Sequence, residues 1–280
     1  MGGGRRQGEK ESSVEKGGGQ EEIKVMFMNA QSVVSKMDEL RAIVAMEEPG
    51  LVAVTEAWTH DEIGDAYLKL EGYDMIVRED RNDTQGGRGG GLLLYAKKNI
   101  NAWRIRNDCT FNQMATVGMK CGNGEVLLHL VYRSPNSSRE NDALLIQYVS
   151  ELRGRNVLIG DFNYPDIRWT EGTAGARGRP FLEVVTDKFM EQHVNEATHS
   201  RGNTLDLILS DQEGLVSSVA TEGRLGKSDH DIVTFDIEID INKTKTEQQK
   251  RNFSRGNYET MRNNIGGVNW ENERRRKKVT

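Results

Sequence analysis

The segment Asn156–Asn163 reads N-V-L-I-G-D-F-N and carries the strongest structural signal in the chain. Its apolar run, residues 157–159, is typical of a strand that is covered on both faces. Gly160 leaves space beside the backbone, and Asp161 and Asn163 then share one side, because alternate residues of an extended chain point the same way. A carboxylate and an amide placed there suit a hard cation or a phosphate, although an ordinary polar turn has the same composition.

Composition predicts a globular protein without a membrane anchor. The 280 residues are 36% hydrophobic and 29% charged, which is enough for a sizeable core in one or two domains. No apolar run approaches the roughly 20 residues of a spanning helix, and the N-terminus lacks the apolar region of a secretory signal. Cys109 and Cys121 are too few for a disulfide framework or a zinc site, which favours a reducing compartment.

Charge is distributed unevenly along the chain. Residues 242–280 carry a net charge of +7, which leaves −12 for residues 1–241. An acidic body argues against a general nucleic-acid coat protein and fits an enzyme whose acids converge on a metal. We therefore predict a disordered tail at 1–20, a folded domain at 21–241, and a basic, largely disordered connector at 242–280.

Two further apolar runs end in polar residues. Residues 23–28 precede Asn29, and residues 51–55 precede Glu56. Ligands of α/β sheets bind at the carboxyl ends of strands, so three such endings indicate a site. Asn29, Glu56, Asp161, Asn163 and Asp229 form a set of oxygen ligands. Such a set favours Mg²⁺, with Mn²⁺ as an alternative, over zinc.

The remaining pattern predicts many strands and few helices. Helices are expected after Ser35 as N-cap, at 140–152 and at 179–192. Strands are expected at 73–77, 92–96, 113–120, 126–132, 205–209, 215–220 and 232–239. This balance favours two packed sheets with helices outside over one doubly wound sheet.

One histidine has a candidate partner. Asp206 interrupts an apolar strand, and a buried carboxylate needs a donor or a cation. His230 can supply the donor, while Asp229 is free to face a metal. A simple turn at 228–230 that caps a strand is the alternative. No role is assigned to His60, His129, His193 and His199.

The order of motifs resembles the endonuclease/exonuclease/phosphatase family. The motifs are N-A-Q-S (29–32), T-E-A-W (55–58), V-Y-R-S-P-N (131–136), G-D-F-N (160–163), T-L-D-L (204–207) and S-D-H-D (228–231). The sequence of residues 160–169 and that of the C-terminal tail are most similar to the endonuclease domain of non-LTR retrotransposons. The resemblance implies an α/β/β/α sandwich of two mixed sheets, the DNase I-like fold, over about residues 23–240.

The resemblance also implies residue roles in phosphodiester hydrolysis. Glu56 would hold the metal with Asn29 and Asp229 nearby, and Asp161 would deprotonate or orient the attacking water. Asn163 would bond the phosphate, and His230, paired with Asp206, would contact its developing charge. Tyr132 would lie against the phosphate or the leaving oxygen, with Asn136 as a weaker phosphate contact. Gln31 stands where some members carry an acid, and the segment 132–136 has one residue more than many members have.

These roles predict a Mg²⁺-dependent endonuclease that nicks double-stranded DNA, with no membrane or obligate protein partner. Phosphate contacts are expected from loop arginines and from the basic tail; the arginines are Arg78, Arg81, Arg88, Arg133 and Arg201. Two alternatives remain: a phosphomonoesterase on inositol phosphates or lipids, and an inactive DNA-binding remnant. The run at 274–278 fits nuclear import, so a nuclear or cytoplasmic location is expected.

Overall fold

The structure, a computed structural model, describes residues 22–80, 89–106, 108–121 and 124–238. The predicted tail at 1–20, the connector at 242–280 and the arginines Arg81 and Arg88 lie outside these ranges. The domain boundaries therefore stay predictions. Within the described ranges, no helix combines the length and hydrophobicity that crossing a bilayer requires.

The first sheet has six strands and contains both parallel and antiparallel pairs. They are β1 (Glu22–Asn29), β2 (Leu51–Thr55), β3 (Tyr73–Glu79), β4 (Leu92–Lys97), β13 (Val216–Arg224) and β14 (Asp231–Glu238). Their order across the sheet is β13-β14-β1-β2-β4-β3. Only β1 and β2 are parallel neighbours, so the carboxyl ends of these two strands meet at one edge.

The second sheet also has six strands. They are β5 (Ala102–Ile105), β6 (Met114–Cys121), β7 (Gly124–Tyr132), β8 (Asn156–Asp161), β11 (Glu191–Gln192) and β12 (Asp206–Ser210). The order is β11-β12-β8-β7-β6-β5, with β7 and β8 parallel. A separate ribbon pairs β9 (Ile167–Arg168) with β10 (Thr173–Ala174).

Helices cover the outer faces of the two sheets. They are α1 (Met37–Glu47), α2 (Asp65–Leu68), α3 (Arg139–Glu151) and α4 (Arg179–Asp187), with short 3₁₀ turns at Val34–Lys36 and Trp169–Glu171. Alternate residues of β1 face opposite layers: Phe27 joins the core between the sheets, and Met28 joins the core under α1. A third core packs α3 and α4 on the other sheet. The predicted α/β/β/α sandwich is confirmed.

Gly160 is required by the close approach of β7 and β8. Its φ is +149°, and a Cβ there would lie 1.8 Å from the carbonyl oxygen of Val131. Any side chain would push these strands apart. The prediction that Gly160 clears space beside the backbone is therefore confirmed.

Two predicted helix ends are wrong. Ser35 lies in a 3₁₀ turn, and Lys36 takes the N-cap position of α1 without a side-chain hydrogen bond. The helix expected at 179–192 ends at Asp187, because Phe189 turns into the left-handed region at φ 54° and the following amides close the helix. Residues 191–192 then become β11.

Arg133 is a fully buried structural residue, not a surface phosphate contact. Its guanidinium makes two contacts of 2.7 Å to the carboxylate of Asp142 and lies 3.9 Å from the ring centre of Tyr164. Its Nη1 also donates to the carbonyl oxygen of Asn163 at 2.7 Å. Arg133 therefore fixes the loop that carries Asn163, and the expectation that it faces DNA is wrong.

His129 is a buried residue within β7. Its Nε2 donates to Asn156 Oδ1 at 3.0 Å, and its Nδ1 lies 2.8 Å from the hydroxyl of Tyr148 and 3.1 Å from that of Thr116. Burial lowers the pKa of this imidazole to about 4. Neutral His129 is thus part of the folded core.

We expect Arg133→Met to lower the free energy of unfolding by about 3–5 kcal/mol, because it leaves the mostly buried Asp142 carboxylate with only the longer contact, 3.7 Å, to the more exposed Arg177. The matched control, Arg224→Met, breaks a more exposed pair with Asp231 and should cost under about 1 kcal/mol. Urea unfolding of both variants provides the measurement. Equal losses would contradict the assignment of Arg133 to the core.

His129 should make stability depend on pH. Between its ordinary pKa of 6.5 and its folded pKa of about 4, the unfolded chain binds a proton that the folded chain does not. The folded state therefore loses about 1.4 kcal/mol per pH unit as the pH falls through this window. We therefore expect the difference in unfolding free energy between the native protein and His129→Gln to shrink by about 1.4 kcal/mol per pH unit as the pH falls through this window. Urea titrations at several pH values measure this difference. A difference that stays constant with pH would contradict the buried, neutral state of His129.

Candidate active site

The first sheet contributes Asn29 and Glu56. Asn29 ends β1 and is paired in register with Thr55, the last residue of the parallel strand β2. Glu56 follows with φ 48°, which turns its side chain out of the strand direction. The amide of Ser32 donates to the carbonyl oxygen of Glu56 at 2.9 Å. The two polar ends are therefore tied together, as their positions after parallel strands predict.

The second sheet contributes three side chains in one row. Asp161 ends β8, and it is paired in register with Tyr132 on β7 and with Asp206 on β12. All three residues are buried. Neighbours in such a row project from the same part of the sheet, so residues distant in sequence meet here.

Asp161 joins the two sheets. Its Oδ2 accepts a hydrogen bond from Asn29 Nδ2 at 2.9 Å and another from Asn163 Nδ2 at 2.7 Å. Its Oδ1 accepts from the backbone amide of Asn163 at 3.1 Å. The Asn163 side chain also donates to the carbonyl oxygen of Arg133 at 3.0 Å. The carboxylate is thus held in one orientation by amides from both sheets.

His230 faces Asp161 from the start of β14. Its Nδ1 donates to Asp206 Oδ2 at 2.7 Å, which is the pair predicted from the sequence. Its Nε2 lies 4.0 Å from Asp161 Oδ2 and 3.7 Å from Asp229 Oδ1. Both distances exceed a hydrogen bond, so a small polar ligand could bridge Nε2 to the two carboxylates; the place between these three atoms is called the gap below.

The electrostatics of this cluster reflect crowded carboxylates. Burial, followed by the charge of Asp206, raises the pKa of Asp161 well above its usual value. Burial disfavours the charged form of His230, but its hydrogen bond to Asp206 and the nearby acids outweigh this effect and raise its pKa to about 9. His230 is therefore the cation that partly balances the acids at neutral pH.

Glu56 is held by two donors. Its Oε1 accepts from the hydroxyl of Tyr132 at 2.8 Å, and its Oε2 accepts from the indole of Trp58 at 3.1 Å. Burial and then the charge of Glu56 raise the pKa of Tyr132, so its hydroxyl stays protonated. Each carboxylate oxygen keeps a second lone pair for a cation.

Gln31 and His199 fix Asp229, and one of its carboxylate oxygens has no hydrogen-bond partner among the described residues. Its amide donates to Gln31 Oε1 at 3.2 Å, and its Oδ2 lies 3.1 Å from His199 Nε2. Its Oδ1 is buried and has no hydrogen-bond partner among the described residues. A buried carboxylate oxygen without a donor is a candidate ligand for a divalent cation, and the atoms grouped with it are ring nitrogens of His199 and His230.

The acids and histidines form two groups that can hold a metal. Within each group, the candidate ligand atoms lie within 4.8 Å of one another. One group is His199, Asp229 and His230; the other is Asp161, Asp206 and His230. The structure therefore brings Asn29, Glu56, Asp161, Asn163, Tyr132, Asp206, Asp229 and His230 into one connected network.

His199 belongs to this network and was missed by the sequence analysis. Its backbone bridges His230, and its ring packs edge-on against the His230 ring with centroids 4.8 Å apart. The available signal was its place in a polar loop seven residues before Asp206. That signal is weak, because a histidine in a loop is usually exposed.

Other predicted contacts lie outside the network. Asn136 is exposed in the turn before α3, and Arg201 is exposed in the loop beside His199. Arg78 is paired with Asp65 and Asp80, so its charge is already neutralised. Phosphate contacts by Asn136 and Arg201 stay predictions, as does the contact by Arg88, which the structure does not describe.

Residues 126–234 match the model of a family described as endonuclease-reverse transcriptase. No curated protein sequence matches the chain.

Solved structures share the fold at low identity. One is the endonuclease domain of TRAS1, a telomere-specific non-LTR retrotransposon: TM-score 0.60, 16% identity, covering 78% of this chain and 99% of that chain. Another is the AP endonuclease LMAP from Leishmania major: TM-score 0.62, 13% identity, covering 78% and 88%. A third is the 3′ phosphatase NExo from Neisseria bound to product DNA hairpin: TM-score 0.58, 15% identity, covering 77% and 99%. The chain therefore shares the DNase I-like fold of these structures, and its residues 126–234 match the endonuclease-reverse transcriptase family model.

Proposed function

We propose that this protein is a divalent-metal-dependent endonuclease, derived from a non-LTR retrotransposon, that nicks one strand of duplex DNA by hydrolysing a phosphodiester bond. One observation carries the proposal. Three polar atoms, His230 Nε2, Asp161 Oδ2 and Asp229 Oδ1, converge without bonding one another, at 4.0 and 3.7 Å. Each of the three side chains is held by a contact to another residue, so these atoms are the proposed place where a phosphate and a water bind.

Glu56, Asn29 and Asp229 are the proposed metal ligands, with Mg²⁺ as the expected ion and Mn²⁺ as an alternative. When bound, the ion polarises the phosphoryl oxygen and offsets charge on the leaving oxygen. The protein prepares the ligands: Tyr132 and Trp58 orient Glu56, while the buried Oδ1 of Asp229 has no competing donor among the described residues.

Asp161 is the proposed general base. Two asparagine amides hold its carboxylate toward the gap, and its raised pKa makes it a better proton acceptor than an ordinary aspartate. The attacking water transfers a proton to Asp161 as its oxygen bonds to phosphorus. The bond from phosphorus to the leaving oxygen then breaks, and that oxygen keeps the electron pair.

His230 is the proposed phosphate contact that stabilises the transition state. Its Nδ1 is occupied by Asp206, so a protonated ring directs its second N–H from Nε2 into the gap. Asp206 therefore acts as a positioning residue for His230. Asn163 and Tyr132 are further proposed phosphate contacts, and each would have to exchange a present hydrogen bond to donate to a phosphate oxygen, Asn163 one to Asp161 or Arg133 and Tyr132 the one to Glu56.

Duplex DNA is the proposed substrate. The Neisseria neighbour was solved with a product DNA hairpin, and the TRAS1 neighbour is a retrotransposon endonuclease domain. The acidic body requires local basic contacts, for which Arg88, Arg201 and the basic tail are candidates, with Asn136 beside them. No obligate protein partner is proposed. Nuclear import through the run at 274–278 stays a prediction.

A phosphomonoesterase is the second candidate, because the Neisseria neighbour is a 3′ phosphatase. Against inositol phosphates as the substrate, the resemblance implies that inositol phosphatases usually carry arginine where this chain has Pro165. A remnant that binds DNA without catalysis is less compatible with the complete hydrogen-bonded network around Asp161 and His230.

We expect the full chain to convert supercoiled plasmid to the nicked circle with Mg²⁺ and to stop when EDTA removes the metal. Asp161→Asn removes the base and should lower the nicking rate by about 10²–10⁴-fold. His230→Ala removes a donor to the phosphate and should cost about 10²–10³-fold. A gel assay under single-turnover conditions measures both.

Matched controls replace the same residue types elsewhere. Asp187→Asn changes an exposed acid at the end of α4, and His193→Ala changes a histidine that bonds Ser210 at the far end of β12. Both should nick normally. Full activity in Asp161→Asn or His230→Ala would refute the assigned roles. Phosphate release from a 3′-phosphorylated oligonucleotide without nicking would favour the phosphatase.

A further inference from the structure

We infer that His199 is a positioning residue that fixes Asp229 as a one-oxygen ligand for the divalent cation. This inference rests on the proposed function, because Asp229 matters in this way only if the site binds a metal. His199 is itself well packed, with 10% of its side chain exposed. Nothing in the reaction requires it to touch the substrate.

The hydrogen bonds of His199 define its protonation. Its Nδ1 accepts a hydrogen bond from the backbone amide of Arg201 at 3.1 Å. An amide can only donate, so Nδ1 carries no proton and the neutral ring must carry it on Nε2. That Nε2 lies 3.1 Å from Asp229 Oδ2. His199 therefore donates to Asp229.

The same bonds argue against His199 as a metal ligand. Its Nε2 belongs to a group of possible ligand atoms with Asp229 and His230, all within 4.8 Å. Coordination through Nε2 would move the proton to Nδ1, where it would face the amide hydrogen of Arg201. The backbone thus opposes the tautomer that binds metal, and His199 is left to act through Asp229.

Burial alone does not fix the side chain of Asp229, because 38% of it is exposed. Its backbone is fixed on both sides: its amide donates to Gln31, and its carbonyl oxygen accepts from the amide of Ser200 at 2.8 Å. The donor from His199 then fixes Oδ2. The remaining oxygen, Oδ1, is the buried atom without a partner among the described residues.

This arrangement prepares Asp229 before a cation arrives. A carboxylate held by a second hydrogen-bonding partner loses less conformational freedom on binding, and such partners are worth about 10–100-fold in metal affinity. The edge-on contact between the His199 and His230 rings also keeps this loop against the site. Removal of His199 should therefore weaken metal binding more than it slows the reaction at saturating metal.

The test measures Mg²⁺ affinity by isothermal titration of the full chain with His199 replaced. We expect His199→Leu to raise the Kd for Mg²⁺ about 10–100-fold and to leave the nicking rate at saturating Mg²⁺ within a few-fold of the original. His199→Gln should recover most of the affinity, because its amide can donate to Asp229. His193→Leu, the matched control, should leave Kd unchanged.

A double-mutant cycle separates positioning from a general structural role. In an Asp229→Ala background, His199→Leu should change Kd by less than about twofold, because the oxygen that His199 holds is already lost. An unchanged Kd in His199→Leu, or an equal loss of affinity in both backgrounds, would overturn the inference. If the original chain binds Mg²⁺ but His199→Leu binds equally well, only this inference fails. If the original chain neither binds Mg²⁺ nor nicks plasmid, the proposed function fails first.

Discussion

At the edge where the strand ends of the two sheets meet, the protein buries more negative charge than its nearby cationic side chains balance, and the rest of the structure depends on this constraint. Asp161 and Asp206 are buried side by side, Glu56 lies close enough to raise the pKa of Asp161, and His230 is the cation between them. Buried carboxylates are stable only with donors or positive charge. Most hydrogen bonds of the site donate to these carboxylates, and a divalent cation would supply the missing positive charge.

The sandwich makes this crowding possible. Each sheet contains one parallel pair, β1 with β2 and β7 with β8, and the polar ends of both pairs meet at the same edge. The bond from Asn29 to Asp161 links the sheets across 132 residues of sequence. Gly160 and the buried Arg133 shape the segment between them, so part of the core serves to aim Asp161 and Asn163.

Local patterns predicted much of the site because its chemistry follows strand ends. Asp161 and Asn163 do lie together, but through a left-handed turn at Asn163 (φ 48°) after β8 ends, not through the alternation of an extended chain. The cost of a buried acid led to the pair of Asp206 and His230. The residues that local patterns did not place correctly depend on contacts between segments distant in sequence. His199 reaches Asp229 only because the backbones of residues 198–200 and 229–231 bond each other. Arg133 directly follows a strand and therefore looks like a loop arginine in the sequence, but in the structure it is buried in an ion pair with Asp142.

Diffraction from crystals of the full chain soaked in Mn²⁺ is the most direct test of a single cation site. Anomalous scattering locates Mn²⁺ independently of any assumed chemistry. We expect one peak at this edge of the sandwich, bonded to the carboxylates of Glu56 and Asp229. A peak elsewhere, with none beside Glu56 and Asp229, would contradict this expectation.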